Sequence, residues 1–140
     1  MSTETNKVIA GRYIDEFLNQ GKGIGGDDLF APDYQCHFPG NVILDKKEHD
    51  RITIAFFAAF PDGHFALEDM IAEGDKVVSR YTFRGTHLGT WISGTPPTGM
   101  LVTTSGNEIH RIVNGKIVEQ WSQLDLLGAL RQFGILPEPA

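Results

Sequence analysis

The sequence predicts an α+β fold in which helices pack on one face of a curved, mixed or antiparallel β-sheet. Apolar residues recur at helical spacing through the first 60 positions, and the pattern changes to strict alternation after Gly63. Two hairpin-turn signals follow, and a short helical segment closes the pattern at 126–133. Helices first and antiparallel strands afterwards are typical of this class. A length of 140 residues predicts one domain over 1–140.

The N-terminal half contains two predicted helices. The first covers 5–20 and ends at Asn19-Gln20-Gly21; the second runs from Asp45 to Phe60 and is stopped by Pro61-Asp62-Gly63. The glycine-rich stretch 21–26 between them lacks the order of a dinucleotide-binding loop. We expect Asp27 or Asp28 to cap a short helix through Phe30, and 33–45 to be irregular.

The C-terminal half contains two predicted hairpins. Strands 65–73 and 76–87 meet at Gly74-Asp75, and strands 100–113 and 116–125 meet at Asn114-Gly115. Asn-Gly between alternating apolar residues is the strongest short hairpin signal. A final helix over about 126–133 ends at Gly134.

Composition and charge exclude several classes of function. Twelve Lys and Arg against 18 Asp and Glu give a net charge of −6 without a basic stripe, so nucleic acid is not an expected partner. No apolar run approaches the roughly 18 residues of a membrane helix, and MSTETNK lacks the pattern of a signal peptide, which predicts a cytoplasmic protein without membrane contact. The single cysteine and the spacing of the five histidines predict no metal site.

The second hairpin predicts which side chains share a sheet face. A two-residue turn places Val113 opposite Lys116, so that His110 faces Glu119, Glu108 faces Trp121, Gly106 faces Gln123 and Thr104 faces Asp125. That face joins apolar and titratable side chains, as ligand pockets do. A bulge between the turn and Asp125 would reverse this parity beyond the bulge.

Asp125 and His110 are the candidate catalytic residues. Asp125 ends the last predicted strand, where it serves either as a helix N-cap or as a carboxylate at the mouth of an apolar cavity, whose raised pKa suits general acid/base catalysis. His110 is either a satisfied sheet histidine or a proton relay to a substrate oxygen. Gln123 is a second candidate donor to that oxygen.

Other polar residues have two interpretations each. The first hairpin places Asp69 opposite Arg80, either as a structural ion pair or, with Asp125, around a water in a hydrolase. His37 and His87 are possible pocket contacts or ordinary polar residues. A Cys36-His37 nucleophilic pair is not expected, because adjacent side chains on an extended chain point apart.

The run from Ile71 to Gly134 resembles the SnoaL-like polyketide cyclase (ester cyclase) family, which has the nuclear transport factor 2-like (NTF2-like) cone. The resemblance is carried by AFPDG (59–63), IAEGDKVVSRYTFRGTHLGTW (71–91), GTPPTG (94–99), IHRIVNGKIVEQW (109–121), Asp125 and LLGALRQFG (126–134). It implies N-terminal helices on the concave face of the sheet, an internal cavity and a homodimer through the sheet.

The resemblance also implies an activity. Family members close a ring of an aromatic polyketide by intramolecular aldol condensation without metal or cofactor, with an aspartate as acid/base that corresponds to Asp125 and a pocket histidine near His110. We therefore expect a cyclase-like enzyme for a small hydrophobic or aromatic carbonyl compound, with a cavity walled by Trp121, Phe57, Phe60 and Tyr34. A hydrolase or isomerase on the same fold, and a binding module without chemistry, are the alternatives, because one fold hosts many functions.

Overall fold

A computed structural model describes residues 2–26, 28–91 and 93–134. Its helices are α1 (Thr3–Arg12), a π-helical continuation (Tyr13–Leu18), α2 (Lys46–Ala59) and α3 (Leu126–Gln132). The strands are β1 (Phe30–Phe38), β2 (Val42–Asp45), β3 (His64–Glu73), β4 (Lys76–Thr86), β5 (Leu101–Val113) and β6 (Lys116–Leu124). They form one sheet in the order β2-β1-β6-β5-β4-β3, antiparallel except for the parallel pair β1–β6. The predicted α+β class with a mixed sheet is confirmed.

The predicted helices at 5–20, 45–60 and 126–133 are confirmed. Ser2 caps α1 by accepting a hydrogen bond from the Thr5 amide. Asp45 and Glu48 form a capping box at the start of α2, in which each side chain accepts a hydrogen bond from the other residue's amide. The π-helical turn keeps Tyr13 and Phe17 buried against the sheet.

The prediction for 27–45 is wrong. Asp27 lies outside the described residues; 28–29 form a bend, and Phe30 begins a strand rather than ending a helix. The segment expected to be irregular forms the hairpin β1–β2, which turns through Gly40 and Asn41, both with positive φ. Its strand character depends on parallel pairing with β6, about 80 residues further along the chain, which a local pattern does not reveal.

Both C-terminal hairpins form as predicted, but the register of the second changes beyond its turn. Ile112 pairs with Ile117, whereas Arg111 pairs with Glu119, so Val118 is an extra residue in β6. His110 therefore faces Gln120 rather than Glu119, and the other expected pairings shift in the same way: Glu108 faces Ser122 and Gly106 faces Leu124.

The bulge at Val118 changes which side chains of β6 point to the inner face of the sheet. Gln120 and Ser122 lie on the inner face, which the helices cover, and both are buried. Glu119, Trp121 and Gln123 lie on the opposite, outer face. Among the described residues, no helix is long and apolar enough to cross a membrane.

Candidate active site

A mainly apolar cavity lies between the inner face of the sheet and α2. Its volume is about 70 Å³. Side chains of α2 and β1, among them Ile52, Phe56, Phe57 and Phe38, form its apolar walls. The polar lining residues are Tyr13, His49, Thr53, Tyr81, Glu108 and Ser122.

Glu108 is the charged side chain of this lining. It lies in the middle of β5 and is only 5% exposed. Burial raises the pKa of the Glu108 carboxyl to about 7, and hydrogen bonds from Ser122 and Gln120 offset only part of that effect. The carboxyl group therefore exchanges a proton near neutral pH inside an apolar site.

A chain of buried hydrogen bonds connects Glu108 with β1 and the π-helical turn. Ser122 Oγ donates to Glu108 Oε2 at 2.6 Å, and Gln120 Nε2 donates to the same oxygen at 2.8 Å. Gln120 Nε2 also lies 2.9 Å from the Tyr13 hydroxyl, while Tyr34 donates to Gln120 Oε1 at 2.7 Å. Residues from three separate segments thus hold one carboxyl group in place.

Two buried histidines lie next to this chain of hydrogen bonds. His49 Nε2 is 3.0 Å from the Tyr13 hydroxyl, and burial lowers the pKa of His49 to about 4. Burial also lowers the pKa of His110 to about 3, and neither of its ring nitrogens has a hydrogen-bond partner among the described residues. Both imidazoles are therefore neutral at neutral pH and leave the Glu108 charge uncompensated.

Five predicted site residues lie on the sheet's inner side, where the helices pack: Phe57, Tyr34, Phe60, His87 and His110. Of these, Phe57 lines the cavity. Tyr34 donates a hydrogen bond to Gln120, whereas Phe60 and His87 pack together, with ring centres 5.6 Å apart, in an aromatic cluster. His110 is fully buried against Tyr13, with ring centres 4.5 Å apart.

The remaining predicted site residues lie outside the cavity. Asp125 is exposed, and its Oδ1 accepts a hydrogen bond from the Gly128 amide at 2.9 Å as the N-cap of α3. Asp125 shares an outer groove with Arg80 and Gln123, so the structure does not bring it together with His110. Asp69 pairs with Arg80 in register as predicted, but both side chains are exposed on the outer face, which gives the hydrolase arrangement no enclosed site.

His37 and Trp121 also lie on the outer face, where their rings stack 5.2 Å apart. His37 Nε2 lies 2.7 Å from Glu119 Oε2, and Arg111 Nε donates to Glu119 Oε1 at 3.2 Å. The His37 hydrogen bond and the Arg111 guanidinium hold the pKa of Glu119 below its usual range.

Glu108 lies on the cavity face as the alternation of β5 predicts, but it is not among the predicted catalytic residues. Its position follows from β5 alone, because Glu108, His110 and Ile112 alternate in one strand whatever the register of β6. The available signal was a glutamate on the inward side of a strand, on the same face as His110 and Ile112. The predicted register contains no bulge and therefore puts Gln120 and Ser122 on the opposite face, whereas the bulge brings both inward.

A helix-covered sheet with an apolar cavity and a carboxyl group in the cavity lining defines a class of α+β proteins with the NTF2-like fold. The sequence profile of the SnoaL-like polyketide cyclases matches residues 8–133, and the chain belongs to that family. The resemblance seen in the sequence is therefore confirmed. No curated protein matches the sequence.

Solved structures show the same fold. IdmH from Streptomyces antibioticus, a candidate polyketide cyclase, is 31% identical with a TM-score of 0.80, and the match covers 94% of this chain and 99% of IdmH. AclR from Streptomyces galilaeus, a candidate hydroxylase, is 25% identical with a TM-score of 0.86 and coverages of 99% and 87%. A candidate polyketide cyclase from Acidithiobacillus ferrooxidans is 28% identical with a TM-score of 0.80 and coverages of 96% and 99%.

Proposed function

We propose that this chain is a cyclase-like enzyme in which Glu108 transfers a proton at a carbon next to a carbonyl group. The observation that carries the proposal is a carboxyl group inside an apolar cavity, with its pKa raised to about 7. A general acid/base works best when its pKa lies near the working pH, because both protonation states are then available. Membership of the SnoaL-like polyketide cyclases supports this class of reaction.

The proposed reaction is the ring-closing addition step of an intramolecular aldol condensation. Glu108 carboxylate removes a proton from the α-carbon, and the electrons of the C–H bond form an enolate. The enolate carbon attacks a second carbonyl carbon of the same molecule, and the resulting alkoxide takes the proton back from Glu108. These steps balance in protons and electrons without a metal or cofactor. That the reaction uses neither is a prediction.

Tyr81 is the proposed donor to the enolate oxygen. It lines the same cavity as Glu108, and burial, followed by the nearby Glu108 charge, raises the pKa of its phenol, which keeps the hydroxyl protonated. A positioned donor stabilises the negative charge that develops in the transition state. Tyr81 takes the role expected for His110 and Gln123, and Glu108 takes the role expected for Asp125.

The apolar walls indicate a hydrophobic carbonyl ligand. A volume of about 70 Å³ lies below the roughly 300–1,000 Å³ of typical ligand pockets. Entry of a ring compound therefore requires side chains of the cavity wall to move. The proposed moving side chain is Phe57, which is half-buried on α2.

Exchange of the α-protons of 1-phenylbutane-1,3-dione for deuterium, followed by proton NMR, tests the proposal without the natural substrate. We expect wild-type protein to accelerate exchange above the buffer rate and Glu108→Gln to lose that acceleration at least tenfold, while Asp125→Asn keeps it. Full exchange activity of Glu108→Gln together with loss of exchange in Asp125→Asn would indicate that Asp125, and not Glu108, is the general acid/base. Binding of the probe without exchange in wild type would indicate a binding module instead.

We also propose that two copies associate through the outer face of the sheet. One row across the six strands carries the apolar residues of what we call the outer stripe: Ile43, Trp121, Ile109, Val78 and Ile71, with His37 between the first two. Ile71 is 66% exposed and Ile43 56% exposed. Charges of both signs flank the stripe, with Lys76 and Glu119 on one side and Asp69 and Arg80 on the other, so a two-fold contact can pair acids with bases.

A further inference from the structure

The two oxygens of the Glu108 carboxyl group have different surroundings. Oε2 accepts hydrogen bonds from Ser122 Oγ at 2.6 Å and Gln120 Nε2 at 2.8 Å. Oε1 has no hydrogen-bond partner among the described residues, although Glu108 lines the cavity. Because a carboxylate oxygen has two lone pairs, Oε2 is fully used as an acceptor. A proton taken from a ligand is therefore bound at Oε1.

The role of Oε2 depends on the orientation of the Gln120 amide. Tyr34 donates its hydroxyl proton to Gln120 Oε1 at 2.7 Å, which turns Nε2 toward Glu108 and Tyr13. Burial raises the pKa of Tyr34 well above its usual value, so its hydroxyl stays a donor throughout the neutral range. A reversed amide would point its oxygen at the carboxylate and lose the hydrogen bond to Oε2.

The other end of the network is fixed as well. The Tyr13 hydroxyl accepts from Gln120 Nε2 at 2.9 Å and forms a second hydrogen bond with His49 Nε2 at 3.0 Å. His49 is neutral, because burial lowers its pKa to about 4. The second amide proton has two acceptors at 2.9 Å, the Tyr13 hydroxyl and Ser122 Oγ, whereas the amide oxygen accepts from Tyr34.

We propose that Tyr34 and Gln120 act in series as positioning residues that keep Oε2 of Glu108 as an acceptor and leave Oε1 as the oxygen that exchanges a proton with the ligand. This inference rests on the proposed function of Glu108. The inference adds that the two carboxyl oxygens have different roles. It also adds a positioning residue, Tyr34, that does not line the cavity.

No cation faces Glu108 from the described elements packed around it. The titratable groups there are His110 on its own strand, Cys36 and Tyr34 on β1, Tyr81 on β4, Tyr13 on the π-helical turn and His49 on α2. All are neutral near pH 7, since burial raises the pKa of the phenols and the thiol and lowers that of the imidazoles. The Gln120 amide and the Ser122 hydroxyl are thus the groups that favour the ionised form of Glu108.

The test measures the pKa of Glu108 in the ligand-free protein from the carbon-13 shift of its carboxyl group, assigned by comparison with Glu108→Gln. Tyr34→Phe keeps the ring and removes the donor, so we expect the pKa of Glu108 to rise by about 0.5–1 unit, a three- to tenfold increase in proton affinity. Gln120→Leu is expected to raise it at least as far. Tyr13→Phe, the matched control, also removes a buried phenol hydroxyl bound to Gln120 but leaves the amide orientation intact, and is expected to shift the pKa by less than a third as much.

A pKa within 0.2 unit of wild type in folded Tyr34→Phe, or an equal shift in Tyr13→Phe, overturns the proposal. If Gln120→Leu does not fold, the two tyrosine variants still decide, because each loses a single oxygen atom. The midpoint of the pH dependence of diketone exchange should move with the measured pKa. Wild-type exchange by Glu108→Gln would overturn the proposed function itself, whereas the carboxyl pKa values test the positioning role separately.

Discussion

Tyr81 and Gly106 lie directly opposite each other on β4 and β5, and the tyrosine hydroxyl occupies the space that a β-carbon at residue 106 would need. A glycine inside a strand often marks a bend or the close approach of another group. The structure shows that the space is taken by a side chain of the neighbouring strand. Gly106 thereby allows the Tyr81 ring to cover the strand and to line the cavity with Glu108.

Gly106→Ala is expected to destabilise the fold by about 1–3 kcal/mol, the range typical of overpacked interiors. The added methyl group would collide with the Tyr81 hydroxyl and with the carbonyl oxygen of Gln123. Urea unfolding measures the loss. Gly11→Ala in α1 is the control, because its β-carbon would meet only Met70 Cε, at 3.9 Å, and we expect it to be neutral or stabilising. Equal stabilities of the two variants would contradict this role of Gly106.

Burial of Glu108 predicts a stability that depends on pH. The pKa is raised in the folded state to about 7 from an ordinary value of 4.5, so the folded protein binds the proton more tightly. This contribution is fully present below about pH 4.5 and is lost as the pH rises to about 7. A difference of this size corresponds to up to about 3 kcal/mol.

Glu108→Gln cannot ionise, so the variant does not lose stability as the pH rises. Its amide oxygen can still accept hydrogen bonds from Ser122 and Gln120. We therefore expect the variant to gain stability relative to wild type between pH 4.5 and pH 8, by up to about 3 kcal/mol. Urea unfolding of both proteins at the two pH values provides the measurement, and titration of all other groups cancels in the difference. A stability difference that does not change with pH would show that Glu108 ionises as freely in the folded as in the unfolded chain.

Local sequence signals predicted most of the fold correctly. Asp45 marks the start of α2, and Asn114-Gly115 joins β5 to β6, because a cap and a two-residue turn are decided by neighbouring residues. The strand β1 was missed because its partner β6 is distant in sequence, and Pro32 and Pro39 within or beside it argue locally against a strand.

The candidate site was less predictable because it depends on a single extra residue. Nothing in the local sequence marks Val118 as a bulge, yet this extra residue turns Trp121 outward and Ser122 inward. The prediction for β5, which needs no partner, correctly placed Glu108 on the cavity face. Whether a carboxylate is enclosed or exposed is decided by helices that pack from elsewhere in the chain, so Asp125 and Glu108 could not be ranked from the sequence.

Asp125 is expected to act on stability rather than on proton transfer. Its carboxylate caps α3 through the Gly128 amide, and removal of such a cap costs about 0.5–2 kcal/mol. We therefore expect Asp125→Ala to lower the free energy of unfolding by about 1 kcal/mol. Asp125→Asn should stay close to wild type, because asparagine also caps helices.

The two readouts separate the interpretations of Asp125. Urea unfolding reports the cap, and deuterium exchange of the diketone reports catalysis. The expected pattern is a stability loss confined to the alanine variant with exchange retained in both. Loss of exchange in the asparagine variant at unchanged stability would instead support a catalytic carboxylate on the outer side.

The outer stripe predicts a dimer that a single charge can disrupt. Val78 lies near the centre of the stripe, between Ile71 and Ile109, so a lysine there would place a charge inside the proposed contact. Light scattering after size exclusion should show a dimer for wild type and a monomer for Val78→Lys. Val8→Lys is the control, because Val8 is 64% exposed on α1, away from the sheet. A wild-type monomer, or dissociation by the α1 variant alone, would exclude association through the outer stripe. Retained diketone exchange in the monomeric variant is expected, since the outer stripe lies on the face of the sheet opposite the cavity.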